Sequence, residues 1–359
     1  MLKYILIGFF GFMVAHGSAQ DIQFSQYYQA PLFLNPGFTG ITPQQRIVVN
    51  NRVQWPNLPQ AYSTYAASYD IFVEELRSGF GLLLTSDKMG SAGWQTNTFN
   101  VLYSFKVKLT DKLVFSPGLV FGYGTHGIDQ TKLRLGDGLE FERDGQYYSV
   151  DPDQGRLGRQ NYFDVGAGFL FYSKSLWVGA AFHHLNKPNL SLLGDVSRLP
   201  VKTTIHGGAR IDLSGGGPKR NAIRSSYLTP SFIIRTQGPS FSQMDIGVNY
   251  HIDPVSIGVY YRGKPILFEK FEQRDPNGNV IASGIQQDAL ILSMGMYFKR
   301  FAIGYSYDFT ISQLQTASGG AHEISMIFEF QSKPASRSVK KKYRLIPCPT
   351  FNSKEGFWN

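Results

Sequence analysis

From about Gln45 to Phe330 the chain alternates between strand-length runs with one apolar face and turns rich in Gly, Asp and Asn. In Asn161 to Ser173, Phe163, Val165, Ala167, Phe169 and Phe171 share one parity, while Tyr162, Asp164, Gly166, Gly168 and Tyr172 share the other. Successive side chains leave opposite faces of a strand, so a period of two is the β signal. The spacing predicts about fourteen strands, near 45–55, 60–70, 78–86, 94–108, 112–124, 161–173, 175–184, 201–213, 226–236, 241–252, 254–262, 286–298, 300–310 and 320–331. One parity is apolar in nearly every run, as in Leu113, Phe115, Pro117, Leu119, Phe121 and Tyr123, or Leu290, Leu292, Met294, Met296 and Phe298.

Connection lengths sort with the same pattern. Tight turns at Thr110-Asp111, Lys174-Ser175, Asp253-Pro254 and Lys299-Arg300 alternate with long connections at about 125–160, 185–200, 263–285 and 311–319. The glycine-rich stretch at Gly215 to Gly217 breaks the rule. Bacterial outer-membrane barrels have an even strand number, short periplasmic turns and longer extracellular loops. The expected fold is therefore all-β: a transmembrane outer-membrane β-barrel of about 14 antiparallel strands, with both termini periplasmic. A soluble β-sandwich does not sort its loops in this way.

The opposite, inward parity carries both signs of charge: Asp164, Lys202, Arg210, Arg235, Asp245, Arg262, Glu323 and Glu329. A selective pore would bias its lining to one sign. Mixed signs imply cross-lumen pairing and a partly filled interior. The filler suggested by the sequence is 20–44, a strap or plug whose Phe24, Tyr27, Tyr28, Phe33 and Phe38 are too many aromatics for a free linker.

Lys3, the apolar run Tyr4 to Ala15, and Gly17-Ser18-Ala19 read as a signal peptide over 1–19. No later run of about 18 apolar residues predicts a membrane helix. Mean hydropathy is slightly negative, as expected when lumen residues alternate with lipid-facing ones. The 28 Phe, 20 Tyr and 38 Gly suit aromatic girdles and crowded turns, and the single cysteine cannot form an internal disulfide. The organisation expected is signal 1–19, strap or plug 20–44, barrel 45–331 and a basic periplasmic tail 332–359. From 333 to 344 that tail holds Lys333, Arg337, Lys340, Lys341, Lys342 and Arg344 and no acid, and it accounts for much of the formal charge of +9. Export argues against nucleic acid as the partner of this charge. Lipid phosphates or an acidic periplasmic protein suit it better, beside the reading of a merely solvated tail.

Motifs that could carry chemistry are weak. Gly122-Tyr-Gly124-Thr-His-Gly127 has the spacing of a dinucleotide fingerprint, but no helix follows to cradle a phosphate. Asp275-Pro-Asn277-Gly-Asn279 opens like a calcium loop, yet Val280 stands where glycine is required and Gln286 where glutamate is. His183 and His184 are adjacent, so on a strand they would point to opposite faces. No Ser/His/Asp constellation stands out, and neither enzyme activity, cofactor nor metal is expected.

The segment Gln20-Asp-Ile-Gln-Phe24-Ser-Gln-Tyr27, followed by Leu34-Asn-Pro36-Gly-Phe-Thr-Gly40, resembles the opening of the PorP/SprF family of Bacteroidetes outer-membrane proteins associated with type IX secretion and gliding. Ile346-Pro347-Cys348-Pro349-Thr-Phe351 is similar to the proline-cysteine-proline terminus of many members. The resemblance implies a non-enzymatic barrel assisting export or surface anchoring of a secreted surface protein, such as a large adhesin with an uncleaved C-terminal sorting domain. A core secretion component linked to the periplasmic ring, or a porin-like channel, are the alternatives. Outer-membrane lipid and lipopolysaccharide are expected around the barrel, with periplasmic secretion or gliding components below it. Candidate strap or partner-binding residues are Phe24, Gln26, Tyr27, Asn35 and Pro36. The candidate docking tail comprises Lys340, Lys341, Lys342, Arg344, Pro347, Cys348 and Pro349, with Cys348 either a tolerated thiol or an intermolecular disulfide partner.

Overall fold

The computed structural model describes residues 21–58, 61–90, 93–129, 158–192, 194–213, 226–239, 241–264, 271–274, 280–284, 287–298, 300–311 and 318–330. Its strands, in chain order, are β1 Gln45–Gln54, β2 Tyr62–Val73, β3 Ser78–Met89, β4 Trp94–Phe105, β5 Val107–Lys108 and β6 Val114–Gly127, followed by β7 Arg159–Tyr172, β8 Leu176–His183, β9 Lys202–Ala209 and β10 Ile211–Asp212. Then come β11 Ser226–Gln237, β12 Phe241–Ile252, β13 Val255–Gly263, β14 Phe271–Arg274, β15 Val280–Gly284, β16 Gln287–Tyr297, β17 Phe301–Thr310 and β18 Ala321–Phe330. Fourteen of them pair antiparallel into a closed ring. The first meets the last, with Gln45 opposite Phe330 and Gln54 opposite Ala321, and β9 pairs with β11 from Lys202–Gln237 to Gly208–Ser231. Closure leaves no stave with an unpaired side, the condition a sheet must meet to sit in lipid.

These fourteen staves occupy the fourteen stretches of period-two sequence. Near 94–108 the run is interrupted at Lys106, whose ammonium keeps the inward parity of Leu102 and Ser104 and donates to the Gly37 carbonyl at 3.0 Å and the Ser116 hydroxyl at 2.7 Å. The short β5 and β10 pair with β6 and β11 at the tight-turn end, continuing the lines of β4 and β9. Within the connection 263–285, where no strand is expected, β14 and β15 form a separate hairpin.

The outward parity is apolar and exposed along the staves: Leu82 and Leu84 on β3, Leu119 and Phe121 on β6, Leu292, Met294 and Met296 on β16. Such a band is what hydrocarbon requires and what a water-facing surface avoids. The inward parity is mixed, with Leu83, Leu102, Leu170, Ile233 and Ile291 buried beside Asp70, Ser104, Ser116, Asp245 and Glu323. The core thus lies in the lumen. Gly122 to Gly127 lies wholly within β6, the facing side-chain space at Gly122 and Gly124 taken by Asn100 and Tyr162, so the sequence pattern there is a barrel wall and not a phosphate loop.

Candidate functional site

The chain upstream of β1 packs inside this ring. Its local form follows from two prolines. Pro31 and Pro36 each open a short helical turn, Pro31–Leu34 and Pro36–Phe38, where the missing N–H costs nothing. Between them Asn35 is extended, and its side-chain oxygen accepts from the Gly37 N–H at 2.8 Å, capping the second turn. A preceding turn of 3-10 helix, Tyr27–Gln29, places two tyrosines side by side.

Contacts from this segment reach staves around the ring. Glu323 on β18 accepts the backbone N–H groups of Ser25 at 2.7 Å and Gln26 at 3.0 Å, and the Gln26 amide donates to the Glu323 carbonyl at 3.0 Å. The Tyr27 hydroxyl bonds Ser231 on β11 at 2.8 Å, and Tyr28 stacks on Tyr260 of β13 at 5.8 Å. The Asn35 amide donates to the carbonyls of Phe169 on β7 and Ala180 on β8 at 3.0 and 3.1 Å. On β6 and β4, the hydroxyls of Ser116 and Ser104 donate to the carbonyls of Gly37 and Thr39 at 2.7 and 2.6 Å. The Gly40 N–H donates to Asp70 on β2 at 2.9 Å. Two wall glycines make room for this approach: a Cβ at Gly79 would fall 2.1 Å from the Thr39 carbonyl oxygen, and one at Gly118 would fall 2.5 Å from the Pro36 carbonyl carbon.

A chain of ion pairs lines one arc of the wall. Arg52 pairs with Asp308 at 2.8 Å and with Glu323 at 3.4 Å. Arg262 pairs with Asp308 and Asp245 at 3.0 Å each, and Arg235 pairs with Asp245 at 3.0 Å. Three guanidiniums thus face three carboxylates, all buried. The hydroxyl of Ser25 sits at the hub, donating to Asp308 at 2.7 Å and accepting from Arg52 and Arg262 at 2.6 and 3.1 Å. Desolvated charges demand such mutual satisfaction, and here the N-terminal segment supplies part of it.

At the end of the barrel bearing the long connections, Asp21 forms the other anchor. Its carboxylate meets His184 at 2.7 Å and Lys202 at 3.5 Å, and the second ring nitrogen of His184 meets Asp164 at 3.0 Å. Burial alone would lower the His184 pKa, but the two carboxylates override it and raise it to about 9. Burial alone would raise Asp21, but Lys202 and His184 hold it well below the ordinary carboxylate range. The expectation that His183 and His184 point to opposite faces fails here. The strand ends at His183, His184 takes a left-handed φ of 59°, and both rings turn to the same cavity.

Of the sequence candidates, Phe24, Gln26, Tyr27, Asn35 and Pro36 come together in the lumen, all buried. Phe24 packs edge-on to Phe33 at 5.1 Å, and the hydroxyl of Ser325 donates to the Gln26 side-chain oxygen at 2.8 Å. The tail candidates Lys340, Lys341, Lys342, Arg344, Pro347, Cys348 and Pro349, and the loop at Asp275 to Asn279, lie outside the described residues. Sequence reading missed Arg52, Asp70 and Asp308, although each sits on the inward parity of its strand. Asp21 lies at the long-connection end, and the segment runs from there through the lumen to β1.

A family described as "Type IX secretion system membrane protein PorP/SprF" matches residues 16–328. The chain belongs to the PorP/SprF family. No curated protein matches it. Among solved structures it is similar to the outer membrane protein Omp33 of Acinetobacter baumannii, at 8% identity over 81% of this chain and 100% of that one, with a TM-score of 0.41. It is also similar to the toluene transporter TodX of P. putida, at 10% identity over 85% of this chain and 95% of that one, with a TM-score of 0.44. CdiB from Acinetobacter baumannii matches at 6% identity over 80% of this chain and 60% of that one, with a TM-score of 0.40. At such scores these likenesses carry no argument about what this PorP/SprF protein does.

Proposed function

We propose that this PorP/SprF barrel is a non-enzymatic outer-membrane partner in type IX secretion, assisting the export or surface anchoring of a secreted surface protein with an uncleaved C-terminal sorting domain. The long connections face outward and hold that protein, while the tight turns and the basic tail face the periplasm, where secretion or gliding components dock. Residues 21–44 act as a plug. The observation that carries this reading is the N-terminal segment bonded to staves around the ring and completing a charge-balanced ion network. A channel for small solutes gains nothing from filling its own bore, and its lining would favour one sign of charge.

The test is affinity purification of the tagged protein from its native outer membrane in mild detergent, with mass spectrometry of what co-elutes and planar-bilayer recording of the same sample. One large surface protein retaining its C-terminal domain, with no steady conductance, is the expected result. Ring and translocon proteins without such cargo would replace the dedicated partner with a core component. A protein that purifies alone and conducts ions would overturn both.

A further inference from the structure

Beneath the long connections the described residues do not fill the lumen throughout. Beside the Asp21 anchor a cavity of about 130 Å³ remains. Its floor is apolar, built from Ile22, Leu32 and Phe33 of the N-terminal segment with Leu83 and Val120 of the wall. Above the floor stand Thr85, Thr98 and Asn100, already tied together: the two threonine hydroxyls bond each other at 2.7 Å, and the Asn100 amide donates to Thr98 at 2.9 Å.

Among the described residues the charges on the lining do not balance. Asp21, Asp164, His184 and Lys202 close on one another, as described above, so their charge is spent within the group. Asp87 stands apart from them. It is 6% exposed, lines the cavity, and takes a hydrogen bond from the Thr64 hydroxyl. Among the described residues no basic side chain lies within ion-pair distance of it. Neither of the two other histidines of the lining lies within ion-pair distance of Asp87: the His126 ring is bonded to Thr96 at 2.7 Å and packed against Trp94, and His183 lies next to His184. A buried carboxylate without a counter-charge is expensive, and its cost falls if a cation enters the cavity.

From this combination we infer that the cavity is a binding pocket for a primary ammonium carried on an apolar stem, the stem lying on Leu32, Phe33 and Leu83 and the ammonium at Asp87. The volume suits such a group, since a cavity of about 150 Å³ holds a benzene-sized body. A lysine side chain has this form, its methylenes covering apolar surface while its head seeks a charge. A small free alkylamine has the same chemistry. The inference rests on the cavity alone and does not depend on the secretion reading.

The experiment is calorimetric titration of the full-length barrel in zwitterionic detergent micelles with n-pentylammonium, n-pentanol and Nα-acetyl-lysine amide. Pentylammonium is expected to bind at least about tenfold more tightly than pentanol, a difference of about 1.4 kcal/mol. Asp87→Asn is expected to abolish that preference while the variant keeps the heat-modifiable mobility of a folded barrel. Should Asp87→Asn fail to fold, Leu83→Trp fills the floor, leaves the carboxylate in place, and is expected to block binding. Asp87-dependent binding of the lysine amide assigns the pocket to a polypeptide side chain, and binding of pentylammonium alone assigns it to a free amine. Absence of pentylammonium binding, equal binding of pentanol, or undiminished binding by Asp87→Asn would overturn the inference.

Discussion

Replacing Glu323 by alanine tests whether the N-terminal segment is held as a unit separate from the barrel. This carboxylate accepts two backbone N–H groups, from Ser25 at 2.7 Å and Gln26 at 3.0 Å, and faces Arg52 at 3.4 Å. Hydrogen bonds to charged groups are each worth about 1.5–3 kcal/mol, so the loss at the two amides amounts to about 3–6 kcal/mol. At about 1.4 kcal/mol per decade, the equilibrium between docked and released segment shifts by roughly two to four decades. Arg52 keeps Asp308 at 2.8 Å and Ser25 at 2.6 Å, and the guanidinium charge left in excess falls on the same arc of the wall, away from β3, β4 and β6. Hydrogen–deuterium exchange with mass spectrometry reads this directly. The amides of Ser25 and Gln26 should exchange about 10²- to 10⁴-fold faster, with the exchange of β3, β4 and β6 unchanged. Unaltered exchange at Ser25 and Gln26, or equal acceleration in every stave, would refute local anchoring.

Three further outcomes follow from the same contacts. Gly118→Ala sets a methyl group against the backbone of Pro36 and Gly37 at 2.5–2.6 Å; overpacking of this kind costs about 1–3 kcal/mol, and limited proteolysis should cut within 21–44 while the barrel resists. Asn35→Ala removes the amide donations to Phe169 and Ala180 and the cap on Gly37, lowering the urea midpoint for segment release, followed by a fluorophore at the segment, without lowering that of the barrel. The Asp21–His184 anchor has a defined pH window. His184, raised from 6.5 to about 9, contributes fully below about 6.5, and its contribution is lost as pH rises through about 9. Asp21, depressed below 3.8, contributes above about 3.8 and is lost only as pH falls through its lowered value. The protection factor of amides near Asp21, exchange corrected for its intrinsic base-catalysed rate, should therefore be highest between about pH 4 and 6.5 and fall as pH rises through about 9, and His184→Gln should erase that fall.

Barrel staves were legible because lipid imposes a strict rule on every second side chain. Once Phe163, Val165, Ala167, Phe169 and Phe171 share a parity, the strand and its outward face follow. The aromatic load of 20–44 and the mixed inward charges pointed to residues that meet one another, Tyr27 with Ser231, Tyr28 with Tyr260 and Arg235 with Asp245. What stayed hidden depends on register between distant strands. Nothing local to Arg52 shows that Asp308 will lie beside it, because their meeting requires β1 to pair with β18 and β18 with β17. His184 was misread because parity arguments end where the strand does, and one residue of left-handed backbone returned its ring to the lumen. Nor could the position of Asp21 be read from parity, because period-two reading describes walls and says nothing about the direction of a segment inside them.

The path of that segment bears on how the barrel is made. The pairing of β1 with β18 brings Gln45 to Phe330, and closing a flexible chain over such a length costs about 5 kcal/mol in configurational entropy beyond a constant. Ser25 and Gln26, attached a short way upstream of the first stave, bind Glu323 on the last one, while Gly40 binds Asp70 on the second. The first part of the described chain thus bridges the two sides of the seam, joining the last stave to the second. Because its far end emerges at the opposite mouth from β1, threading it through a finished ring would drag the whole segment along the bore. Seating the segment before the seam closes avoids that passage.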